Sequence, residues 1–143
     1  MAQLIDKFYL YLQEEVAVRQ AASEEGDSQE QAFTRIATEM LSESGEVEGV
    51  TVAYDEKEIG KKGQHKVNGY AMSDDYETID LFISIYNTSS KIQSITKALI
   101  DQAVTRVTNF FRKAVYNDYQ NEVAESSDIF EFAHTLATYK DLK

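Results

Sequence analysis

Three kinds of residue in this chain have the chemistry to build a site. Carboxylates come first: Glu39 and Glu43 in a helical stretch, and Asp80 in an apolar, alternating stretch preceded by Asn68 in another. A helix glutamate beside strand acids can share a divalent cation such as Mg²⁺, which then activates water. Bases come second. Lys61, Lys62, His65 and Lys66 cluster in and after a polar loop, and Lys91, Lys97, Arg106, Arg112 and Lys113 dot the helical pattern that follows. These helix bases do not share one stripe, so they read as a solvated face with only a weak case for a nucleic-acid groove. The third kind is histidine: His65 falls in the loop and His134 in the last helical stretch.

Other chemistries lack their residues. There is no cysteine, hence no disulfide framework, thiolate nucleophile or thiolate metal ligand. No P-loop or GxGxxG offers a phosphate cradle, no HExxH pairs two histidines, and no GxSxG marks a nucleophile elbow. The acidic runs SEEGDSQE and SESGEVEGV miss the alternating ligand register of a calcium loop and read as helix connections. Sequence spacing alone therefore predicts no resident cofactor, with Mg²⁺ entering only if the carboxylates converge.

The elements that must position these residues follow from periodicity. Residues 4–22 read as an amphipathic helix with Leu4, Phe8, Leu12 and Val16 on one stripe, widened by Ile5, Tyr9 and Tyr11. Gly26 suits a left-handed turn, and Asp27 or Ser28 can cap a second helix over 29–43, with Phe33, Ile36, Ala37, Met40 and Leu41 on its inner side. The period then changes to two. Residues 50–55 put Val50, Val52 and Tyr54 on one face, and 66–73 and 78–86 read as a hairpin turning at Asp74 and Asp75. In the last strand Ile79, Leu81, Ile83 and Ile85 share the expected core face, and Asp80 on the other face suits a pair with Lys66 across the hairpin.

The longest helical pattern spans 91–117. Ile92, Ile95, Leu99, Ala103, Val107, Phe110 and Ala114 form its main stripe, with Ile100, Val104, Phe111 and Val115 beside it. Ser126 or Ser127 then caps a last helix with Ile129, Phe132, Ala133 and Leu136. The predicted fold is α+β: two N-terminal helices, a three-stranded antiparallel meander, and a long helix and a C-terminal helix packed on the sheet. No linker or repeat divides the 143 residues, so 1–143 reads as one domain.

Charge is uneven. The net charge is −11, and residues 1–60 carry 14 acidic and 4 basic side chains against 11 and 10 in residues 61–143. An acidic first half repels nucleic acid and anionic lipid, so any anionic partner is expected on the second half. No apolar run reaches the length of a membrane span, and the N-terminus lacks the layout of a signal peptide, so a cytoplasmic setting is expected.

The order helix, three strands, helix resembles the start of a restriction-endonuclease-like core. That resemblance implies a metal-dependent nuclease with Glu39 or Glu43 and Asp80 as metal ligands. The chain departs from the pattern: Asn68 stands where an acid would be useful, and Asp80-Leu81-Phe82 replaces the expected E-x-K. A wider resemblance runs through FYLYLQEEV (8–16), QEQAFTRIATEMLSESGEVEG (29–49), KVNGYAMSDDYETIDLFISIYN (66–87), RVTNFFRKAV (106–115) and SSDIFEFAHTL (126–136). Together these phrases resemble the N-terminal domain of the abortive-infection phage-resistance family, AIPR. The resemblance implies the first domain of a longer bacterial defence protein, one that binds the C-terminal remainder of that protein or a second copy. It supplies no catalytic residues.

Overall fold

The computed structural model describes residues 2–24, 26–57, 64–75 and 77–139. The predicted α+β order holds. Helices α1 (Ala2–Ala22) and α2 (Gln29–Glu43) precede strands β1 (Thr51–Lys57), β2 (His65–Met72) and β3 (Ile79–Phe82); α3 (Lys97–Tyr116), a short 3₁₀ turn (Tyr119–Glu122) and α4 (Phe130–Tyr139) follow. The sheet is an antiparallel meander in the order β1-β2-β3.

Local chemistry explains the boundaries. Gly26 takes φ 75°, a left-handed value that favours glycine, and the chain then enters α2 through a capping box. The Ser28 hydroxyl accepts from the Gln31 backbone N–H, and the Gln31 side chain accepts in return from the Ser28 N–H. Thr96 caps α3 by accepting from Leu99 N–H, so this helix starts six residues later than the apolar pattern from 91 suggests.

Strand β3 is shorter than the expected 78–86, and residues 83–88 run without regular structure. A side chain explains part of this. Asn68 Oδ1 on β2 accepts the Ser84 N–H at 2.8 Å, in place of a backbone carbonyl. On β1 the pairing slips between Val52 and Asp55, the mark of a bulge. The slip buries Ala53 and leaves Tyr54 exposed, reversing the face read from the alternation Val50, Val52, Tyr54.

The main core lies between the sheet and the α3–α4 layer. Val67, Phe110, Tyr119, Ile129, Phe132 and Leu136 are its large buried members, and Tyr70 stacks flat on Phe132 with ring centroids 3.8 Å apart. A smaller core of Val16, Ala32 and Ile36, flanked by Leu12, Phe33 and Tyr86, joins α1 to α2. Central β2 has layers on both sides, so His65, Lys66, Val67 and Asn68 are all buried.

The apolar stripes are only partly used. Leu4 and Phe8 on α1 are exposed, whereas Leu12 and Val16 pack. On α2 the buried residues are Ala32, Thr34, Ile36 and Thr38, while Met40 and Leu41 are exposed. Of the stripe expected for the long helix, Ala103, Phe110 and Ala114 are buried on α3, while Leu99, Ile100 and Val104 on α3 and Ile92 and Ile95 ahead of it stay exposed. A helical stripe shows which face can pack. The extent of the neighbouring layer decides how much of it does.

Candidate functional site: charged clusters on the central strand

The fold gathers ionisable side chains around β2 in two groups, one on each side. The first joins α2 to the sheet. Lys66 Nζ donates to Glu30 Oε1 at 2.5 Å, and Asn68 Nδ2 donates to Glu30 Oε2 at 2.9 Å. Glu30 sits in the first turn of α2, where the capping box has fixed the helix start and the dipole favours a carboxylate. Lys66 and Asn68 are two apart on a strand, so they point to the same side. Thr34, one turn after Glu30, exchanges a 2.6 Å hydrogen bond with the Ser84 hydroxyl. Both carboxylate oxygens and both functional ends of the Asn68 amide are therefore occupied.

Nearby, Arg106 of α3 pairs with Glu56 of β1, which also accepts from the Tyr54 hydroxyl. Burial, then the hydrogen bond to Glu56, hold the Tyr54 hydroxyl well above the usual phenol range, with the Glu30 charge adding to the effect. A small cavity of about 180 Å³ opens here, lined by Glu30, Lys66, Ser84, Gln102 and Arg106 among others. Lys66 and Arg106 line it with the Glu30 carboxylate, and Arg106 carries its pair with Glu56 alongside. The arrangement is close to neutral, and it ties α2, β1, β2 and α3 together.

The second group lies on the opposite side. His65 is the first residue of β2 and has no exposed surface, so the loop placement expected for it is corrected. Its Nε2 lies 2.7 Å from Asp55 Oδ2, and its Nδ1 lies 3.1 Å from Lys113 Nζ. An ammonium can only donate, so Nδ1 accepts and Nε2–H donates to Asp55. The Tyr119 hydroxyl donates to the same Asp55 oxygen at 2.7 Å. Burial lowers the Lys113 pKa, and burial followed by the bond to Asp55 raises that of Tyr119. The pair resembles the His–Asp half of a hydrolase triad, but Lys113 occupies the position of the nucleophile. Phe110 and Tyr119 pack against the imidazole, with centroids 5.7 and 4.8 Å away. A ring enclosed in this way presents no edge to solvent, and both its nitrogens are engaged within the fold.

The carboxylates singled out from sequence lie elsewhere. Glu39 Oε1 accepts from Arg19 Nη1 at 2.7 Å on the outer side of the α1–α2 pair, which lowers the Glu39 pKa. Glu43 is exposed at the last position of α2. Asp80 is exposed opposite Ala71, on the edge of an acidic cleft of about 460 Å³ that includes Glu46, Glu48 and Asp74. Lys66 pairs with Glu30, not with Asp80, because the β2–β3 ladder runs only from Gly69 to Met72 on β2. Among the described residues no three His, Cys, Asp or Glu side chains are grouped to hold a metal ion.

His134 is exposed on α4, where it bonds to Gln120 and stacks on Phe130. Lys61 and Lys62 lie outside the described residues. The remaining bases do not form one patch: Lys97 pairs with Asp101 within its own helix, while Lys113 and Arg106 turn inward.

Sequence reasoning missed Glu30, Glu56, Asp55 and Tyr119. For Glu30 a signal existed, since an acid in a capped first turn faces whatever strand packs there, and Lys66-Val67-Asn68 offers two polar residues to one side of a buried strand.

Comparison with known proteins agrees with the resemblance drawn from the motifs. No curated protein and no solved structure matches the chain. The model of the abortive infection phage resistance protein N-terminal domain matches residues 33–142, which covers most of α2, the whole sheet, α3 and α4, and the chain belongs to that family.

Proposed function

We propose that this chain is an interaction and regulatory domain of a bacterial abortive-infection phage-defence protein, with no catalysis of its own. The observation that carries this reading is the exposed apolar surface of α1, of Ile95 just ahead of α3, and of the first turns of α3. Leu4, Phe8, Tyr11, Ile95, Leu99 and Val104 are each more than 40% exposed. Patches of this kind on soluble domains mark contact sites. The charged clusters support the same reading, because their groups are bound to one another and join elements of the fold. The partners are the C-terminal remainder of the same protein or a second copy of this chain, in the cytoplasm. None of the described helices is long and apolar enough to cross a membrane. Pull-down of the tagged chain with an untagged copy, and separately with the remainder of the protein, tests the reading. Capture that weakens when Phe8 and Ile95 are changed to lysine is expected; no capture of either partner contradicts it.

One observation favours a second reading, a degenerate or active restriction-endonuclease-like nuclease. A helix glutamate does meet a lysine and Asn68 on the central strand, although the glutamate is Glu30 rather than Glu39 or Glu43. In this arrangement the Lys66 ammonium neutralises the carboxylate that would otherwise bind Mg²⁺. The degenerate form of this reading therefore has more support than the active one. Cleavage of DNA or RNA in Mg²⁺ or Mn²⁺, abolished by Glu30→Gln, would establish the active form.

A further inference from the structure

The exposed residues of α1 have a spacing of their own. Leu4, Phe8, Tyr11, Glu15 and Val18 follow one another at intervals of four, three, four and three. This is the seam spacing of a helix that pairs with another helix. The stripe is distinct from the side that packs on α2, which carries Leu12 and Val16. It is also distinct from the residues that hold α1 to the segment after β3, where Tyr9 donates to the Ser89 carbonyl at 2.5 Å and Gln13 Nε2 does so at 2.7 Å. α1 is therefore fixed to the domain by one side and presents a second apolar side outward. Its apolar members Leu4, Phe8, Tyr11 and Val18 are between 52% and 69% exposed.

We propose that this stripe is a homodimer seam, with α1 of one chain packing antiparallel on α1 of a second copy. The proposal rests on the interaction reading above and commits it to one partner and one surface. Area supports it. The four apolar seam side chains, Leu4, Phe8, Tyr11 and Val18, expose about 450 Å², within the range of the largest patch on a monomer, and two facing stripes bury up to roughly 900 Å², the size of a weak, reversible interface.

Charge selects the partner and its direction. Lys7 and Glu14 flank the seam on the same side, seven residues apart, and both are exposed. In an antiparallel pair with Tyr11 near the two-fold axis, Leu4 meets Val18 of the second copy and Lys7 meets Glu14, twice over by symmetry. A parallel pair sets Lys7 against Leu12 and Glu14 against Arg19, and Arg19 is already engaged with Glu15 and Glu39. Glu15, the one charged seam residue, is drawn aside by that same Arg19 contact at 3.3 Å.

Sedimentation equilibrium of the 143-residue chain tests this. The chain is expected to dimerise. Lys7→Glu and Glu14→Lys should each weaken the dimer about tenfold, since two attractive pairs become repulsive, and the double exchange should restore it. Both sites are exposed, so circular dichroism of the variants should match the parent. A chain that stays monomeric at millimolar concentration overturns the proposal, as does a dimer indifferent to the charge exchanges. If the monomeric chain is still captured by the remainder of the protein, only the seam is refuted and the interaction reading stands.

Discussion

Replacing Glu30 by alanine should destabilise the domain far more than its place in a helical first turn suggests. The Lys66 side chain is only 10% exposed and Glu30 26%. Removing the carboxylate leaves a largely buried ammonium without that partner and the Asn68 amide N–H₂ without its acceptor. Breaking a fully buried pair costs about 3–5 kcal/mol. Water can reach the Glu30 end, which lowers this to about 2 kcal/mol, and the stranded amide adds about 1 kcal/mol. A total of about 3 kcal/mol shifts the urea midpoint by roughly 1.5 M at an ordinary m-value for this size. Glu39→Ala is the control. Its ion pair with Arg19 is 53% and 35% exposed, so its loss should cost about 0.5 kcal/mol. Urea denaturation of the two variants side by side decides the matter. If Glu30→Ala costs no more than Glu39→Ala, the cluster is not a clamp and the reasoning fails.

Other positions give independent checks. His65→Ala removes a fully buried ring and one of the two hydrogen bonds to Asp55, leaving that of Tyr119, and should cost about 3 kcal/mol in the same assay, most of it from the cavity; a loss under 1 kcal/mol would show that the site relaxes freely. Gly69→Ala places a Cβ 3.0 Å from the Thr51 carbonyl oxygen, a backbone atom across the β1–β2 ladder, and should cost about 1–3 kcal/mol. Tyr119 supplies a pH dependence. Burial raises its pKa, so above the unfolded value near 10 the folded chain keeps a proton that the unfolded chain has lost. Its contribution is complete below that pH and is lost as pH rises toward the folded pKa. Tyr119→Phe should therefore flatten the fall in stability between pH 10 and 11; an unchanged slope contradicts the assignment.

Much of the fold was legible because it depends on local signals. The capping box at Ser28 and Gln31, the left-handed Gly26 and the change of period near residue 50 each carry a physical cause within a few residues. The errors have longer-range causes. The outer face of α1 reads as core by periodicity, yet nothing in the described residues covers it. Strand β3 reads as nine residues, but the Asn68 side chain takes the Ser84 N–H and the ladder stops at Phe82. A bulge shifts the faces of β1 by one residue, which no alternation pattern can show in advance.

The candidate site was less legible. Glu39 and Asp80 were natural choices because an acid on a helix or a strand attracts attention wherever it stands. Which acids converge depends on where α2 crosses the sheet, and it crosses with its first turn, so Glu30 rather than Glu39 meets the central strand. His65 next to a polar loop looked accessible, whereas the pairing of Lys57 with His65 draws it into the strand and beneath Tyr119.

The central claim is that the charged clusters on β2 hold the fold together and that the domain works by contact. Incubating the chain with DNA and with RNA in Mg²⁺ and in Mn²⁺ tests it most directly, with Glu30→Gln and Glu39→Ala run alongside. The account predicts no cleavage by any of the three. Cleavage by the parent chain that survives Glu39→Ala and disappears with Glu30→Gln would contradict it and make the Glu30–Lys66–Asn68 cluster an active centre.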